Sequence, residues 1–172
     1  MKKNIILIDF GSVKKKKLIN KSLLFLKSLK LNKKYKIVII SKYFSKKNFL
    51  NLKKDNKIVF YKFVDNIDKI YRKTFFSFGA CGISLYERCF YNIPSISKSL
   101  AKNQYFNFKN FTAKGCILDF DKVTKLNISN VKNNNNKIFK KLIETKKNIK
   151  RNFDYKKNKK HLINLFNEID EN

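Results

Sequence analysis

Short apolar runs alternate with stretches of helical periodicity, and this alternation limits the possible folds more than any other feature of the chain. Continuous apolar runs that predict buried strands lie at residues 4–10, 35–41, 57–63, 74–78, 93–97 and 116–120. Apolar residues at helical spacing predict helices at residues 15–30, 66–72, 84–91 and 103–113, and a weaker turn at 45–54. Strands alternating with helices at short intervals specify a parallel sheet covered on both faces. We therefore predict an α/β, Rossmann-like fold with a parallel sheet of about six strands.

The composition changes after Asp121. Residues 130–137, NVKNNNNK, form a polar stretch that predicts a connector. Beyond it, apolar residues at 138–149 and again at 162–169 each fit one face of a helix. We predict a Rossmann-like domain over residues 1–129, followed by a connector and C-terminal helices over 130–172 that pack on the same domain. Asp65 is predicted to be the N-cap of the helix at residues 66–72.

The net charge of +29 makes a polyanion an obvious candidate partner. Only three of the 41 basic residues are arginines, namely Arg72, Arg88 and Arg151. Surfaces that read bases or clamp phosphates favour the bidentate guanidinium of arginine over lysine. We attribute the charge mainly to compositional drift on solvated faces and predict no specific nucleic-acid partner. Peripheral contact with a membrane through the lysine-rich faces stays open.

The cysteines indicate neither a metal site nor a disulfide framework. Cys81, Cys89 and Cys116 are odd in number and contain no C-x-x-C pair, so buried reduced thiols are predicted. We predict neither a metal nor a cofactor. The apolar run near the amino terminus is too short for a signal sequence or a membrane span, and we expect the cytoplasm as the compartment.

The first candidate ligand loop follows the first strand. In an open parallel sheet, ligands bind beyond the carboxyl ends of the strands, where loops lead into helices. Gly11 and Ser12 occupy that position, and a glycine there would let backbone amides approach a phosphate. A tight turn alone would explain Gly11 equally well.

The second candidate loop leaves the fourth strand. Gly79 and Gly82 bracket the strand exit, and a helix begins at once, so that oriented N–H groups and the helix dipole would suit a pyrophosphate. Ser84 and Glu87 also form an S-x-x-E capping box, which would satisfy the helix without any ligand. Tyr86, Cys89 and Phe90 are interpreted more simply as core-facing residues.

A third cluster consists of amides after the fifth strand. Asn103 and Gln104, with Asn107 one turn later, could bond to sugar hydroxyls and acetamido groups. Asn103 fits equally well as a plain N-cap. The only histidine, His161, lies far in sequence from every candidate loop and is a poor general base, which leaves the catalytic residues unknown.

The second and third clusters carry a resemblance to known families. The segments FGACGISLYERC (78–89), NIPSI (92–96) and LAKNQ (100–104), and a glycine that ends the next helix, resemble the C-terminal half of the PseG hydrolases. These enzymes remove UDP from a diacetamido-trideoxy sugar in pseudaminic acid biosynthesis. More broadly, the chain resembles the C-terminal domain of family 28 glycosyltransferases of the GT-B type. The resemblance covers about residues 4–121.

This resemblance implies a UDP-sugar across the strand ends and a nucleotide-sugar-binding role for residues 1–129. It would place Gly79 and Gly82 along the diphosphate with Ser84 beside it, Glu87 on the ribose hydroxyls, and Gln104, Asn103 and Asn107 at the sugar. Relatives carry a Gly-Gly-Ser type loop after the first strand, where this chain has Gly11 and Ser12. They also have an N-terminal domain that supplies the general base.

Three functions therefore remain open at this stage. The first is the nucleotide-sugar-binding half of a PseG-like hydrolase that releases UDP, with the base supplied by a partner chain. The second is the donor-binding half of a split GT-B glycosyltransferase, in which a sugar or lipid hydroxyl replaces water. The third is a basic, non-catalytic module that binds RNA or an anionic membrane. A degenerate remnant without any ligand is a separate hypothesis.

Overall fold

The computed structural model describes residues 3–12, 14–49, 57–125 and 131–153, with only the backbone at 131–135. Its centre is a six-stranded sheet in the order β3-β2-β1-β4-β5-β6, in which every neighbouring pair is parallel. The strands are β1 (Ile5–Asp9), β2 (Lys36–Ile40), β3 (Ile58–Tyr61), β4 (Thr74–Ala80), β5 (Ser95–Lys98) and β6 (Ile117–Asp119). All six predicted strands are thus present, with shifted ends.

Seven helices accompany the sheet in the described part of the chain. They are α1 (Lys16–Ser28), α2 (Leu31–Lys34), α3 (Asp68–Lys73), α4 (Ile83–Phe90), α5 (Tyr105–Ala113), α6 (Phe120–Thr124) and α7 (Val131–Asn152). Short 3-10 turns lie at Lys46–Asn48 and Lys102–Gln104. Among these helices, none is both long enough and apolar enough to cross a bilayer.

Alternate residues of the strands pack in different parts of the core, because successive side chains point to opposite faces of a sheet. Ile6 and Ile8 of β1 pack in one cluster with residues of α1, α6 and α7. Ile5 and Leu7 belong to another cluster, which contains Tyr71 of α3. Residues of α4, α5, β6 and α7 form a third cluster. Apolar burial on both faces explains why the strands are continuous apolar runs.

Three local expectations differ from the structure. Asp65 does not cap α3, because the helix begins at Asp68 with Ile67 at the N-cap position and without a capping side chain. The predicted connector is also wrong, since residues 131–137 form the beginning of α7. This helix is anchored further along by Ile138 and Leu142 in the core, and a helix propagates readily from an anchored part even through asparagines. The second predicted terminal helix, 162–169, lies outside the described residues.

The strand order creates one crevice where a ligand would be expected. The chain passes from β1 to β2 on one side, and later returns to β4 on the other side of β1. The register sets Asp9 of β1 level with Ile40 of β2 and with Gly79 of β4. The loops after β1 and β4 therefore meet at the point where the sheet reverses its winding, which is the usual ligand position in such folds.

Candidate functional site

A cleft of about 510 Å³ opens at the carboxyl edge of the sheet. Loops after three strands contribute to it, and helices α3 and α4 close one side. Its lining includes Asp9, Gly11, Ser12, Ser41, Lys42, Lys62, Phe63, Tyr71 and Glu87. Two lysines and two carboxylates thus face one opening, together with the loop after β1 that the sequence singled out.

Gly11 forms a tight turn at the rim of this cleft. Its φ of +69° lies in the left-handed region, which favours glycine. Its amide donates a hydrogen bond of 2.8 Å to Oδ1 of Asp9. The turn by itself accounts for the glycine. Ser12 follows it and is exposed to solvent at the same rim.

Glu87 is exposed on α4 and accepts a hydrogen bond of 3.0 Å from the hydroxyl of Tyr71. Burial raises the pKa of Tyr71 far above its usual value, and the nearby Glu87 and Asp9 carboxylates add to this effect. The phenol therefore stays protonated and orients one carboxylate oxygen of Glu87. The capping-box alternative is wrong, because α4 has Gly82 as its N-cap residue and no capping side chain. Glu87 is directed to the cleft instead.

A second pocket of about 560 Å³ adjoins the same carboxylate. Glu87 and Tyr71 line this pocket too, but the rest of its wall is mainly aromatic: Tyr86, Phe90, Tyr91 and Phe153, with Ile67. On one side the rings of Tyr71, Tyr91 and Phe90 follow each other at centroid distances of 5.2 and 5.1 Å. On the other side Tyr86 and Phe153 each contact Phe111, at 5.3 and 5.1 Å.

The expectation that Tyr86 and Phe90 face the core is therefore wrong. Their exposed fractions are 47% and 56%, whereas Cys89 on the same helix is buried. Tyr86 and Phe90 are four residues apart on one side of α4, and both line the second pocket. The helix thus turns an aromatic stripe outward beside Glu87.

Arg88 is a residue whose importance the sequence analysis missed. It is fully buried, and its guanidinium donates to Oγ of Ser95 (3.1 Å), Oγ of Ser84 (3.0 Å) and the carbonyl of Ala80 (2.6 Å). Within the described ranges, no carboxylate forms a salt bridge with it. The signal was available, because an arginine in a chain built on lysine, four residues after a serine on an apolar helix, marks a need for several fixed donors.

The role of Gly79 follows from Arg88. A side-chain carbon at Gly79 would lie 2.7 Å from the nearest guanidinium nitrogen of Arg88. The glycine itself is buried. Close packing against the arginine therefore explains why no larger residue stands there. Ser84, predicted beside a diphosphate, instead accepts the hydrogen bond from the same guanidinium.

The remaining predicted residues lie between α4 and α5. A side-chain carbon at Gly82 would lie 3.4 Å from Nε2 of Gln104, whose Oε1 accepts from the amide of Leu100 at 3.0 Å. Asn107 donates to the carbonyl of Cys81 (3.2 Å) and accepts from the hydroxyl of Tyr86 (2.9 Å). Asn103 is exposed in the 3-10 turn and does not cap α5.

Six of the nine predicted residues fall into two groups, while Gly79 and Ser84 contact Arg88 and Asn103 is exposed in the 3-10 turn. Gly11, Ser12 and Glu87 surround the cleft. Gly82, Gln104 and Asn107 instead link the start of α4 to α5. The two groups adjoin through α4, because Tyr86 bonds Asn107 and is followed directly by Glu87. Whether both groups contact one ligand stays a prediction.

The thiols behave as the sequence indicated. Cys81, Cys89 and Cys116 are free and buried, which confirms that prediction. Burial raises the pKa of Cys81 to about 11 and that of Cys89 to about 12. Across the described ranges, no three side chains of the His, Cys, Asp and Glu types form a cluster that could hold a metal ion. His161 lies outside those ranges.

No protein-family model and no curated protein sequence matches this chain. Among solved structures, the chain is similar to a protein described as the glycotransferase of kitacinnamycin, with a TM-score of 0.55 and 10% sequence identity. The likeness covers 87% of this chain and 40% of the neighbour's chain, so this chain spans less than half of the neighbour's length. At this identity the likeness shows the fold alone, and it confirms the predicted Rossmann-like sheet with helices.

Proposed function

We propose that this chain binds a nucleoside diphosphate sugar and serves as the donor-binding half of a GT-B-type enzyme. The observation that carries the proposal is the position of Glu87 between two pockets of opposite character. On one side lies the polar cleft at the strand ends, and on the other lies the aromatic pocket. A nucleotide has the same order of parts: a phosphate end, a ribose in the middle and a planar base.

The phosphate end fits the polar side. Lys42 and Lys62 line the cleft, and Gly11 and Ser12 offer backbone and hydroxyl groups at its rim. The start of α4 at Gly82 does not line the cleft and has no acidic residue in its first turn, so the positive end of its dipole would favour a phosphate that extends from the cleft towards α4. The buried charge of Arg88 lies below that turn, where it favours an anion in front of the helix. Gly79 supports the site indirectly, through its contact with Arg88.

The nucleoside fits the carboxylate and the aromatic pocket. A carboxylate accepts hydrogen bonds from two ribose hydroxyls, and Tyr71 holds one oxygen of Glu87 in place for that role. Aromatic rings stack on bases with a contribution of about 1–3 kcal/mol. Tyr86 and Phe90 would supply such contacts. Gln104, Asn107 and Asn103 remain our candidates for the sugar, with Ser84 as an indirect support through Arg88.

The finer assignment is a PseG-like hydrolase that uses a UDP-diacetamido-trideoxy sugar, with a split GT-B glycosyltransferase as the alternative. The resemblance over residues 78–104 supports the first, and the glycotransferase neighbour supports the second. Both are expected to need a general base from the missing half, because Asp9 in the cleft bonds the amide of Gly11 and Glu87 is assigned to the ribose. Because this chain corresponds to 40% of the neighbour's length, we propose that a partner chain supplies the remaining half.

Calorimetry with UDP, UMP and uridine tests the binding site. We expect UDP to bind with a dissociation constant on the order of 10–1000 μM. Glu87→Gln keeps the shape of the side chain and removes its charge, so the affinity for UDP should fall by about tenfold or more. Glu144→Gln, at an exposed position on α7, is the matched control and should bind as the original does.

Two results would contradict the proposal. Equal UDP affinity in Glu87→Gln and Glu144→Gln would remove Glu87 from the site. Release of UDP from a UDP-sugar by the isolated chain would contradict the need for a partner, while leaving the binding site intact.

A further inference from the structure

The loops at the carboxyl edge of the sheet expose large apolar side chains to solvent. Tyr43 follows β2, Phe63 follows β3, Ile83 follows β4, and Tyr105 and Phe106 follow β5, with exposed fractions of 45%, 77%, 83%, 54% and 74%. At the opposite edge, the described connections contain none of the strongly exposed large apolar side chains. Burying these side chains is favourable, so a one-sided concentration of them indicates a docking surface.

Exposed lysines accompany these apolar residues. Lys42 precedes Tyr43 directly, Lys62 precedes Phe63 directly, and Lys102 lies one turn before Tyr105 and Phe106. Asp65 is the only acidic residue in the described loops at this edge, but further carboxylates lie at the adjoining strand ends and in the adjoining helices: Asp9, Asp68, Glu87, Asp119 and Asp121. Asp68 pairs with Arg72, and Asp121 pairs with Lys21 and Lys98. The surface therefore combines apolar tips with a positive charge.

The tips also form a row. Neighbouring strands lie about 4.8 Å apart, so the four steps from β3 through β2, β1 and β4 to β5 span roughly 19 Å. All the carboxyl ends of a parallel sheet meet at one edge, so these loops lie side by side along it. A row of this length can contact an extended surface at several points.

We propose that this carboxyl edge docks on an anionic lipid surface. Phe63, Ile83 and Phe106 would enter the interface, and Lys42, Lys62 and Lys102 would contact acidic headgroups. Aromatic side chains favour the level of the headgroups, and a lysine near an anionic surface contributes about 1 kcal/mol. Nucleic acid fits less well, because Ile83 has no ring to stack on bases and the basic residues here are lysines rather than arginines. Lys42, Lys62 and Phe63 also line the cleft proposed for the nucleotide, so a lipid surface and a nucleotide would compete for this edge. Vesicle binding is measured without nucleotide, so its failure and the failure of nucleotide binding are distinguishable.

Tryptophan fluorescence gives a direct test, because the chain has no tryptophan of its own. Single-tryptophan variants Phe63→Trp and Phe106→Trp would be mixed with vesicles of phosphatidylcholine that contain about one-third phosphatidylglycerol. We expect a blue shift of the emission in both variants. Ile143→Trp, at a 54% exposed position on α7, is the control and should not shift.

Vesicle sedimentation measures the charge requirement. The double substitution Lys42→Glu and Lys62→Glu should weaken binding by about tenfold or more, since each lysine contributes about fivefold. The same change at Lys36 and Lys114, which are exposed at the opposite edge, makes an equal change in net charge and should weaken binding less. Urea melts of the variants confirm that they are folded.

Four results would overturn the proposal. Equal weakening by the two lysine pairs would mean nonspecific attraction of a polycation. Absence of a blue shift at both edge positions would exclude insertion. A blue shift in the Ile143→Trp control but not at the two edge positions would place the contact on α7. A shift at Phe63 and Phe106 that polyuridylate or a protein produces and vesicles do not would assign the edge to that other occupant.

Discussion

Arg88 brings a positive charge into the protein, where only neutral groups accept its hydrogen bonds: Ser84, Ser95 and the carbonyl of Ala80. Three acceptors in different directions need the fixed fork of a guanidinium, and one ammonium group cannot donate all three hydrogen bonds. We expect Arg88→Lys to lower the free energy of unfolding by about 2 kcal/mol, because buried acceptors lose their donors. Urea denaturation measures the difference.

The matched control for this prediction is Arg72→Lys. Arg72 is exposed on α3 and bonds Asp68 on the preceding turn. Solvent and salt screen such a surface pair, so its substitution should leave the urea midpoint nearly unchanged. Equal midpoints for Arg88→Lys and the original protein would mean that the guanidinium geometry has no structural importance.

Gly79 offers a second prediction at the scale of the residue. Gly79→Ala places a carbon about 2.7 Å from the Arg88 guanidinium, so either the arginine or the strand must move. We expect the free energy of unfolding to fall by about 1–3 kcal/mol, the usual range for overpacking. Gly82→Ala is the comparison, because its new carbon would meet Gln104 only at 3.4 Å.

The cause of that loss can be isolated with a double-mutant cycle. In an Arg88→Met background, the flexible thioether can move away from the new carbon. Gly79→Ala should then lower the free energy of unfolding by less than it does in the original protein. Identical costs in the two backgrounds would show that the clash with Arg88 is not what fixes the glycine. Both measurements use the same urea denaturation.

At the scale of the element, the packing of α4, α5 and β6 determines the behaviour of the thiols. Cys81 lies in the turn between β4 and α4, and Cys89 lies within α4. Burial raises the pKa of Cys89 to about 12 and that of Cys81 to about 11. An exposed thiol in the unfolded chain titrates near 8.5. The folded chain therefore holds these protons more tightly than the unfolded chain.

The consequence is a loss of stability at alkaline pH. Each thiol contributes its full stabilisation below the unfolded pKa, and this contribution disappears as the pH rises through the folded values. We expect the urea midpoint to fall from about pH 9 upward and to fall less steeply in Cys89→Ala. Because lysines and tyrosines titrate alike in both proteins, the difference in slope isolates the thiol. Parallel curves for the two would contradict the prediction.

The strands were the most predictable elements, and their physical basis explains why. A parallel strand buried on both faces must be apolar at nearly every position, as in Ile5–Asp9 and Lys36–Ile40, and this pattern survives in a chain rich in lysine. The asparagines of residues 131–137 predicted a connector from local preference. The structure continues α7 through them, because tertiary packing outweighs weak helix propensity.

The candidate site was less predictable than the strands. Sequence placed Gly11, Ser12 and Glu87 at strand ends, and the structure brings them to one cleft. The sequence did not show that Glu87 bonds Tyr71 rather than a helix amide, because that contact joins residues 16 positions apart. The aromatic pocket was also missed, since a stripe such as Tyr86 and Phe90 has the same spacing whether it faces the core or solvent.

At the scale of the whole molecule, the net charge of +29 opposes folding. Like charges are closer together in the compact state than in the unfolded chain, so their repulsion destabilises the fold. In the described part of the chain the opposing ion pairs are few and partly exposed: Lys21 and Lys98 with Asp121, and Arg72 with Asp68. Repulsion should therefore outweigh ion pairing in the response of stability to salt.

Salt screens both the repulsion between lysines and the attraction within ion pairs. The larger of the two effects determines whether added salt stabilises or destabilises the protein. Raising sodium chloride from about 20 mM to about 300 mM shortens the Debye length from roughly 20 Å to below 10 Å. We expect the melting temperature to rise by several degrees, which corresponds to about 1 kcal/mol or more for a domain of this size. Differential scanning calorimetry at a fixed pH near 7 gives the value. A melting temperature that stayed constant or fell would mean that the few ion pairs, rather than the excess of lysine, dominate the electrostatic free energy of this fold.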